Sequence, residues 1–234
     1  MLRKWTRPRF LILYLLIPLG FLEASTSEAQ FRLGIPLVSL GLLLRLWANG
    51  HVGHRKVNWT QKWRGDAKVG HFITGGPYAY VRHPLYVGTF LVAVGFGVIV
   101  GQRLLGVAAL AALALIYRGK MAEEEATLED EWGEEFLRYE RAVPRWLPRR
   151  RPFPDQVGAW HWDGITASKE WKTVLWVVVA LIALYLREEW WQERELFAGE
   201  SLLKHVVFLV IAVTLMVTDG VIELSRRRAK AMAR

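Results

Sequence analysis

The chain has 234 residues, of which 53% are hydrophobic, and it carries a formal net charge of +9 at pH 7. It contains no cysteine, which excludes disulfides, thiolate metal ligands and a cysteine nucleophile. No nucleic-acid-binding motif accompanies the positive charge, so a basic face in contact with anionic lipid explains the charge better than a nucleic-acid partner.

Apolar residues are gathered into six blocks along the chain. Each block is shorter than the roughly 20 residues that cross a bilayer, but flanking Trp and basic residues extend an apolar stretch by lying at headgroup level. The blocks also lack the regularly spaced polar residues of a half-exposed soluble helix. We therefore predict an all-α polytopic membrane bundle of about six transmembrane helices. The blocks are Phe10–Leu22, Leu33–Leu44, Leu85–Val100, Leu104–Tyr117, Thr173–Leu186 and Val206–Val217.

Lysine and arginine are concentrated in alternate segments between these blocks. The N-terminal residues, Arg55–Arg82, Arg118–Trp171 and Arg226–Lys230 are basic, whereas Glu188–Glu200 is acidic. The positive-inside rule therefore predicts that both termini are cytoplasmic. We expect the membrane to be a bacterial or archaeal inner membrane. We expect the first block to be a retained helix, because no clear signal-peptide cleavage site follows it.

The predicted spans divide the chain into three parts. Residues 1–150 form a membrane core of four spans plus an amphipathic helix, 151–171 an interfacial linker, and 172–234 an additional transmembrane hairpin with a basic tail. This division is based on the positions of the apolar blocks and of the proline-rich and arginine-rich segment after residue 143.

Two local signals organise the core. Gly101-Gln102-Arg103 leaves room only for a tight turn between the third and fourth spans. The charged segment Lys120–Arg141 has apolar residues at helical spacing, which predicts an amphipathic helix that continues from the fourth span. Pro144 marks its end, because proline cannot continue a helix.

A segment with irregular backbone precedes the third span. It contains Gly76-Pro77-Tyr78 and then Arg82-His83-Pro84-Leu85-Tyr86-Val87-Gly88. Irregular backbone at a membrane edge is tolerated only where protein or a water-filled cavity covers it. The pattern is compatible with a turn flanked by interfacial anchors and, alternatively, with a ligand site.

Three adjacent carboxylates, Glu123-Glu124-Glu125, follow the fourth span. The tight turn brings the fourth span back beside the third, so we expect these carboxylates to approach His83. Adjacent carboxylates at a membrane edge are unfavourable unless a cation compensates them. A solvated charged face is one interpretation, and a cationic ligand held by Glu124 and Glu125 is the other.

These motifs, in this order and at these separations, resemble the isoprenylcysteine carboxyl methyltransferase and phospholipid methyltransferase superfamily of integral membrane methyltransferases. The resemblance covers about residues 35–150. The usual Phe-Gly of the family is Trp132-Gly133 here, and Phe136 replaces a tyrosine. The matched residues beyond the two motifs are Leu128, Trp132, Gly133, Phe136, Tyr139, Val143, Pro144 and Pro148.

The resemblance implies a membrane-embedded enzyme that moves a methyl group from S-adenosylmethionine to a small or lipid-soluble acceptor, such as an isoprenylcysteine-type carboxylate. It also implies a cytoplasmic extension helix that closes the cofactor pocket. Transfer to a phospholipid ethanolamine headgroup or to a thiol is an alternative. A non-catalytic membrane scaffold or assembly factor is a further alternative.

The resemblance also implies which residues bind the cofactor. Glu124 and Glu125 would accept hydrogen bonds from its ammonium group, and Arg82 or His83 would bind its carboxylate. Aromatic and apolar side chains would enclose the adenine. The implied cofactor-binding set is Gly76, Pro77, Tyr78, Arg82, His83, Pro84, Tyr86, Gly88, Glu124, Glu125 and Leu128.

Catalytic roles are assigned to His83, Glu124 and Arg45. An amine acceptor must lose a proton before it attacks, so His83 or a glutamate would take it, although cofactor binding is the first role of His83. Arg45 either snorkels from its helix end or pairs with an anionic acceptor or with the glutamates. Arg145, beside a tryptophan, is a further candidate site residue, and an interfacial anchor is its favoured interpretation.

No metal site is predicted. His51, His54 and His71 lack a carboxylate or fourth ligand at a suitable spacing. The expected partners are the methyl acceptor and membrane lipids, with no nucleic acid.

Overall fold

The structure is a computed structural model of the chain that describes residues 20, 22–52 and 72–193, and isolated positions between 206 and 221. Throughout these residues the regular secondary structure is helical, which confirms the all-α prediction for the described part. The chain divides into two compact units, Met1–Glu170 and Trp171–Arg234. The helices are α1 (Glu28–Val52), α2 (Pro84–Val100), α3 (Arg103–Trp132), α4 (Glu134–Ala142), α5 (Trp162–Ser168) and α6 (Glu170–Glu193), with a 3₁₀ turn at Gly76–Ala79.

Two of the described helices, α1 and α3, are long and apolar enough to cross a membrane. Helix α2 is apolar but shorter, with 17 residues. Large apolar side chains on α1 and α3 point away from the protein, and Leu40, Leu104 and Leu115 are 54%, 85% and 71% exposed. Exposed apolar surface of this kind suits a lipid environment.

The predicted count of six spans remains a prediction. The first block lies outside the described residues except for Gly20 and Leu22, and Val206–Val217 is described only at isolated positions. In α3 the apolar stretch ends near Tyr117, so residues 118–132 extend beyond the membrane-crossing part.

Helices α1 and α2 pack antiparallel through glycines. Gly34 lies against Gly95, and Gly41 lies against Gly88, so that both helices contribute glycines seven residues apart. A Cβ atom at Gly95 would lie 2.6 Å from Val38 Cγ2 and 2.8 Å from the Gly34 carbonyl oxygen. Small residues at such a contact allow two backbones to approach closely.

This packing predicts that Gly95→Ala destabilises the protein by about 1–3 kcal/mol, because the added methyl group overpacks the contact. Gly97→Ala on the same helix is the matched control, since its Cβ would meet Gly106 Cα at an ordinary 3.9 Å. That substitution should be neutral or stabilise by up to about 1 kcal/mol. Unfolding in detergent measures both, and equal effects of the two substitutions would contradict the packing.

The predicted tight turn after α2 is confirmed. Helix α2 ends at Val100 and α3 begins at Arg103, and Gly101 adopts φ 76°. Residues with a Cβ atom rarely adopt this left-handed conformation, so glycine is the natural occupant of the position. The turn returns α3 beside α2 and fixes which ends of the two helices meet.

The predicted amphipathic helix is formed in two parts. Helix α3 continues through Trp132, breaks at Gly133 with φ 50°, and α4 follows as a separate helix. The chain ends α4 at Ala142, just before Pro144, as predicted. The apolar faces of both parts meet in one aromatic cluster, which contains Phe72, Trp132, Phe136, Tyr139 and Phe153.

Residues 149–161, here called the strap, return across the segment that carries Gly-Pro-Tyr. Phe153 donates its backbone N–H to the Ala79 carbonyl at 2.9 Å. The Val157 carbonyl accepts a hydrogen bond from the Gly75 N–H, also at 2.9 Å. The segment predicted as an interfacial linker is therefore hydrogen-bonded along the irregular loop that precedes α2.

The second unit contains most of α6. The predicted block Thr173–Leu186 lies within this helix, where Leu175 and Leu184 are buried. Its assignment as half of a transmembrane hairpin remains a prediction.

Candidate functional site

A cavity of about 60 Å³ lies where the irregular loop, the start of α2, the far part of α3 and α4 meet. Six of the residues predicted to bind a cofactor line it, together with apolar and aromatic side chains. The lining residues are Phe72, Ile73, Tyr78, Arg82, His83, Glu124, Glu125, Leu128, Phe136 and Tyr139.

Glu125 is the centre of the ionic network in this cavity. Its side chain is buried, and its Oε1 lies 2.9 Å from His83 Nε2 and 3.0 Å from Arg82 Nη1. Arg145 binds the same carboxylate with two nitrogens, one of them at 3.0 Å from Oε1. Three positively charged or hydrogen-bond-donating side chains therefore converge on one carboxylate.

This environment keeps Glu125 ionised. Burial by itself would raise the pKa of the Glu125 carboxyl, but the hydrogen bonds from His83 and Arg145 and the charge of Arg82 outweigh it and lower the pKa to about 2. An ionised carboxylate can only accept hydrogen bonds, so His83 Nε2 must carry the hydrogen.

Glu124 has a different environment from its neighbour. It accepts a hydrogen bond from the Tyr86 hydroxyl at 2.5 Å, and its Oε2 lies 3.8 Å from His83 Nδ1. Burial raises the pKa of the Glu124 carboxyl, and the hydrogen bond from Tyr86 and the nearby positive charges offset this only in part. No arginine contacts Glu124 among the residues that the structure describes, and Lys120, one helical turn earlier on α3, contributes positive charge to it.

One hydrogen-bond donor of the Arg82 side chain, Nε, has no partner among the described residues. Its Nη1 contacts both Glu125 and Glu140, and its backbone N–H donates to the Pro144 carbonyl at 2.9 Å. Its Nε is buried and has no hydrogen-bond partner within the described part of the chain. Leaving a buried donor unpaired costs about 1–3 kcal/mol, so an acceptor placed at this nitrogen would be stabilising.

Tyr78 and the aromatic cluster form the apolar walls. The Tyr139 hydroxyl donates to the Tyr78 carbonyl at 2.7 Å and fixes the loop on α4. Burial raises the pKa of the Tyr78 hydroxyl, with further contributions from neighbouring Tyr139 and Glu124. Tyr78 therefore presents a neutral, polar-tipped ring to the cavity.

Five predicted cofactor residues lie outside the cavity lining: Tyr86, which donates to Glu124, and Gly76, Pro77, Pro84 and Gly88, which shape the backbone. Gly76 adopts φ 60°, and Pro84 opens α2 as its first residue. Pro77 is buried in the 3₁₀ turn. Gly88 lies in the contact between α1 and α2 rather than at the cavity.

Arg45 contacts neither of the two glutamates. It pairs with Glu170, with Nε 2.6 Å from Oε1 and Nη2 3.0 Å from Oε2. Its Nη1 donates to the Leu85 carbonyl at 3.2 Å and to the Thr89 hydroxyl. The alternative of a snorkelling Arg45 is not observed, because the guanidinium is largely buried in this pair.

Sequence reasoning did not identify two members of these networks. Arg145 was interpreted as an interfacial anchor, yet it binds Glu125 because the Val143-Pro144 turn directs the chain back to α3. A buried carboxylate such as Glu125 requires a cationic partner, and this requirement was the signal that could have pointed to Arg145. Glu170 lies 125 residues from Arg45, and no local pattern indicates that pairing.

The histidines raised as a metal cluster are only partly described. The His51 ring packs on Gly76, and its Nδ1 lies 3.0 Å from the Gly158 carbonyl oxygen. His54 and His71 lie outside the described residues.

Part of the chain matches a known protein family. Residues 34–130 match the isoprenylcysteine carboxyl methyltransferase (ICMT) family. The chain is 33% identical over 115 residues to protein-S-isoprenylcysteine O-methyltransferase of Homo sapiens, an alignment that covers 49% of this chain and 40% of that protein. The chain thus spans less than half the length of this relative. No solved structure matches it.

Two metal-resistance proteins are also similar. The chain is 27% identical over 170 residues to the nickel-cobalt-cadmium resistance protein NccN of Alcaligenes xylosoxydans xylosoxydans, which covers 70% of this chain and 73% of that protein. It is 32% identical over 123 residues to the cobalt-zinc-cadmium resistance protein CzcN of Cupriavidus metallidurans, which covers 53% of this chain and 51% of that protein.

The Arg82-His83-Pro84 and Glu124-Glu125 motifs both lie within the matched residues 34–130. The resemblance predicted from the sequence is therefore confirmed: residues 34–130 are similar to the isoprenylcysteine carboxyl methyltransferase family of membrane methyltransferases.

Proposed function

We propose that the protein transfers a methyl group from S-adenosylmethionine to a small or lipid-soluble acceptor. The observation that carries the proposal is a carboxylate and a guanidinium donor that line one cavity. Glu124 is a half-buried carboxylate that accepts a hydrogen bond from Tyr86 and lies near Lys120, and Arg82 Nε is a buried donor without a partner among the described residues. The amino-acid end of S-adenosylmethionine carries one ammonium group and one carboxylate, which are the complementary groups.

The residues present fit this cofactor in named roles. Glu124 would accept hydrogen bonds from the ammonium group, and Arg82 Nε would donate to the carboxylate. Tyr78 and Leu128 would form the walls around the adenine. Glu125, whose oxygens are already bound by three side chains, acts as a positioning residue for Arg82 and His83 rather than as a direct ligand.

The size of the cavity bears on how the cofactor enters. A volume of about 60 Å³ holds only a few water molecules. Cofactor binding therefore requires the walls to separate. The lining residues come from three segments, the loop before α2, helix α3 and helix α4, so separation of these segments can enlarge the space.

Methyl transfer at this site depends chiefly on how the donor and the acceptor are positioned. The bound cofactor supplies a methyl group on a positively charged sulfur, and this charge disperses during transfer. The protein's part is to hold the donor in line with the acceptor and to exclude water. The aromatic side chains of Phe72, Phe136 and Tyr139 pack together beside the ionic groups and provide this exclusion.

Isothermal titration of the purified protein in detergent tests the proposal. We expect S-adenosylmethionine to bind saturably with one molecule per chain, and adenosine to bind much more weakly because it lacks both charged groups. Absence of saturable binding by S-adenosylmethionine would overturn the proposed function.

The long alignment with NccN favours a second candidate function, a contribution to resistance against nickel, cobalt or cadmium. The described residues contain no group of three histidine, aspartate or glutamate side chains arranged to hold a metal ion. Growth of cells that lack the gene, in graded concentrations of each metal, tests this candidate. Restored tolerance with the wild-type protein but not with Glu124→Gln would connect resistance to the same site.

A further inference from the structure

We propose that the middle of the strap, residues 154–158, is a gate that must leave the irregular loop before S-adenosylmethionine enters or leaves the cavity. We call these residues the gate segment, and we assign His51 as the side chain that holds it closed. This inference rests on the proposed function and adds to it the route by which the cofactor reaches its site. It starts from the cavity volume of about 60 Å³, which is too small for the cofactor while the walls stay in place.

The irregular loop, residues 72–83, forms one wall of the cavity and is also bonded to the strap. Ile73 and Tyr78 of this loop line the cavity. The backbone of the same loop is hydrogen-bonded along the strap, where the Arg149 N–H donates to the Tyr80 carbonyl at 3.0 Å. The loop can therefore move away from α3 only if the strap releases it or moves with it.

One end of the loop is fixed to α4 and to the turn after it. The Tyr139 hydroxyl donates to the Tyr78 carbonyl at 2.7 Å, and the Arg82 N–H donates to the Pro144 carbonyl at 2.9 Å. Because these contacts hold the end nearer to α2, we expect the loop to move at its other end, residues 72–75.

The gate segment holds that other end through Thr74. The Thr74 hydroxyl donates to the Asp155 carbonyl at 2.6 Å and accepts a hydrogen bond from the Val157 N–H at 2.9 Å. The Val157 carbonyl accepts from the N–H groups of Thr74 and Gly75. Thr74 is only 2% exposed, so its polar groups depend on these bonds. Asp155 also pairs with Arg138 on α4, but both side chains are exposed, and an exposed ion pair adds little.

The gate segment lies between two anchors of the strap and buries little of its own surface. On one side Phe153 is buried in the aromatic cluster, and on the other Trp160 packs on Gly50 near the end of α1. Between these anchors, residues 154–157 are exposed and Gly158 is partly exposed. A segment with few buried apolar contacts opens at low free-energy cost, so it can leave the loop while its anchors stay attached.

His51 joins the gate segment to α1 and to the loop. Its Nδ1 lies 3.0 Å from the Gly158 carbonyl oxygen, and because a carbonyl oxygen only accepts, the imidazole is the donor. The same ring packs on Gly76 of the loop. Gly158 adopts φ 100°, and a Cβ atom there would lie 2.8 Å from Ile73 Cδ1. The bond from His51 therefore holds Gly158 against a side chain that lines the cavity.

The strap lies outside the part of the chain that is similar to the family. The matched residues 34–130 include His51 and the irregular loop, but they end before the strap begins at residue 149. The gate is thus a property of this chain that the similarity does not predict.

Thiol labelling of the cofactor-free protein tests the gate without relying on activity. The chain contains no cysteine, so a single introduced cysteine reports its own accessibility to a maleimide. Ile73→Cys places the thiol beneath Gly158, at the end of the loop that the gate segment holds. Val81→Cys is the matched control, because Val81 is also buried but lies at the fixed end of the same loop.

The labelling rates are compared in three backgrounds, with His51 retained, His51→Ala and His51→Asn. His51→Ala should accelerate the labelling of Ile73→Cys at least about fivefold, the effect of losing one hydrogen bond, and leave Val81→Cys unchanged. His51→Asn keeps a side-chain N–H donor near the position of Nδ1 and should label like the parent. No acceleration, or equal acceleration at both cysteines, would overturn the role of His51.

A disulfide across the contact tests whether the cofactor passes the gate. Thr74→Cys combined with Val157→Cys places two thiols at hydrogen-bonded neighbours. We expect S-adenosylmethionine to associate with the oxidised protein at least about tenfold more slowly than with the same protein after reduction, because the closed gate cannot open. Rapid filtration with labelled cofactor gives both rates, and Thr74→Cys alone is the control that oxidation should leave unchanged.

The gate and the proposed function fail in different ways. If the oxidised and reduced proteins bind S-adenosylmethionine equally fast, the proposed function stands and the gate is refuted, as expected if strap and loop move as one body. If the wild-type protein binds no S-adenosylmethionine, the proposed function is refuted, while thiol labelling still decides whether residues 154–158 open.

Discussion

Glu125→Gln is expected to lower the free energy of unfolding by about 3–5 kcal/mol, the range observed when one partner of a buried ion pair is removed. The substitution keeps the size of the side chain but removes the negative charge that Arg82 and His83 both contact. Arg145 is 39% exposed and can turn toward water, so most of the loss should come from Arg82 and His83. Chemical unfolding in detergent measures the change.

Glu123→Gln is the matched control, two positions earlier on the same helix. Glu123 is exposed, and its substitution should change the unfolding free energy by less than about 0.5 kcal/mol. Equal losses for Glu123→Gln and Glu125→Gln would show that the network contributes nothing specific.

The same carboxylate predicts a dependence of stability on pH. The pKa of Glu125 is lowered from 4.5 to about 2 in the folded protein. Its contribution is therefore complete above about pH 4.5 and is lost as the pH falls toward 2. All other carboxylates are common to wild type and Glu125→Gln, so the difference between the two proteins isolates Glu125. That difference should shrink between pH 4.5 and pH 2, and a constant difference would contradict the assigned pKa.

Glu124→Gln is expected to weaken the binding of S-adenosylmethionine by at least about thirtyfold, which corresponds to the lower end of the 2–5 kcal/mol cost of truncating a buried charge pair. The glutamine retains an oxygen acceptor but loses the negative charge that would face the ammonium group. Isothermal titration of wild type, Glu124→Gln and Glu123→Gln gives the comparison, and Glu123→Gln should bind like wild type.

Methylthioadenosine distinguishes loss of a charge interaction from damage to the pocket. This compound contains the adenosine and the sulfur but lacks the amino-acid end. Its affinity should be almost the same in wild type and Glu124→Gln. If the substitution weakened methylthioadenosine and S-adenosylmethionine equally, Glu124 would not be the partner of the ammonium group.

The meeting of His83 with the acidic cluster could be predicted from the sequence because a turn controls it. Gly101 permits the left-handed conformation that reverses the chain between α2 and α3. Once the two helices are antiparallel neighbours, residues near the start of α2 must lie beside residues far along α3. The observed 2.9 Å contact between His83 and Glu125 agrees with that reasoning.

The different roles of Glu124 and Glu125 could not be predicted in the same way. Glu124 and Glu125 are neighbours in sequence and were assigned the same role. Their environments differ because successive residues of a helix point about 100° apart, and only Glu125 points toward Arg82 and Arg145. Arg145 reaches it through a turn whose path depends on tertiary packing.

The break at Gly133 and the partner of Arg45 illustrate two further limits. The apolar spacing across Lys120–Arg141 suits a single helix, and the glycine within it did not outweigh that pattern. The pairing of Arg45 with Glu170 depends on how the chain returns after the strap, through contacts that no local periodicity encodes.

Transfer of a labelled methyl group from S-adenosylmethionine to a membrane lipid extract tests the central claim most directly. The purified full-length protein is incubated with both, and labelled products are identified by mass. We expect a product heavier than its precursor by one methyl group, formed by wild type and Glu123→Gln and not by Glu124→Gln. Failure of the wild-type protein to label any lipid, under conditions in which it binds the cofactor, would contradict the account.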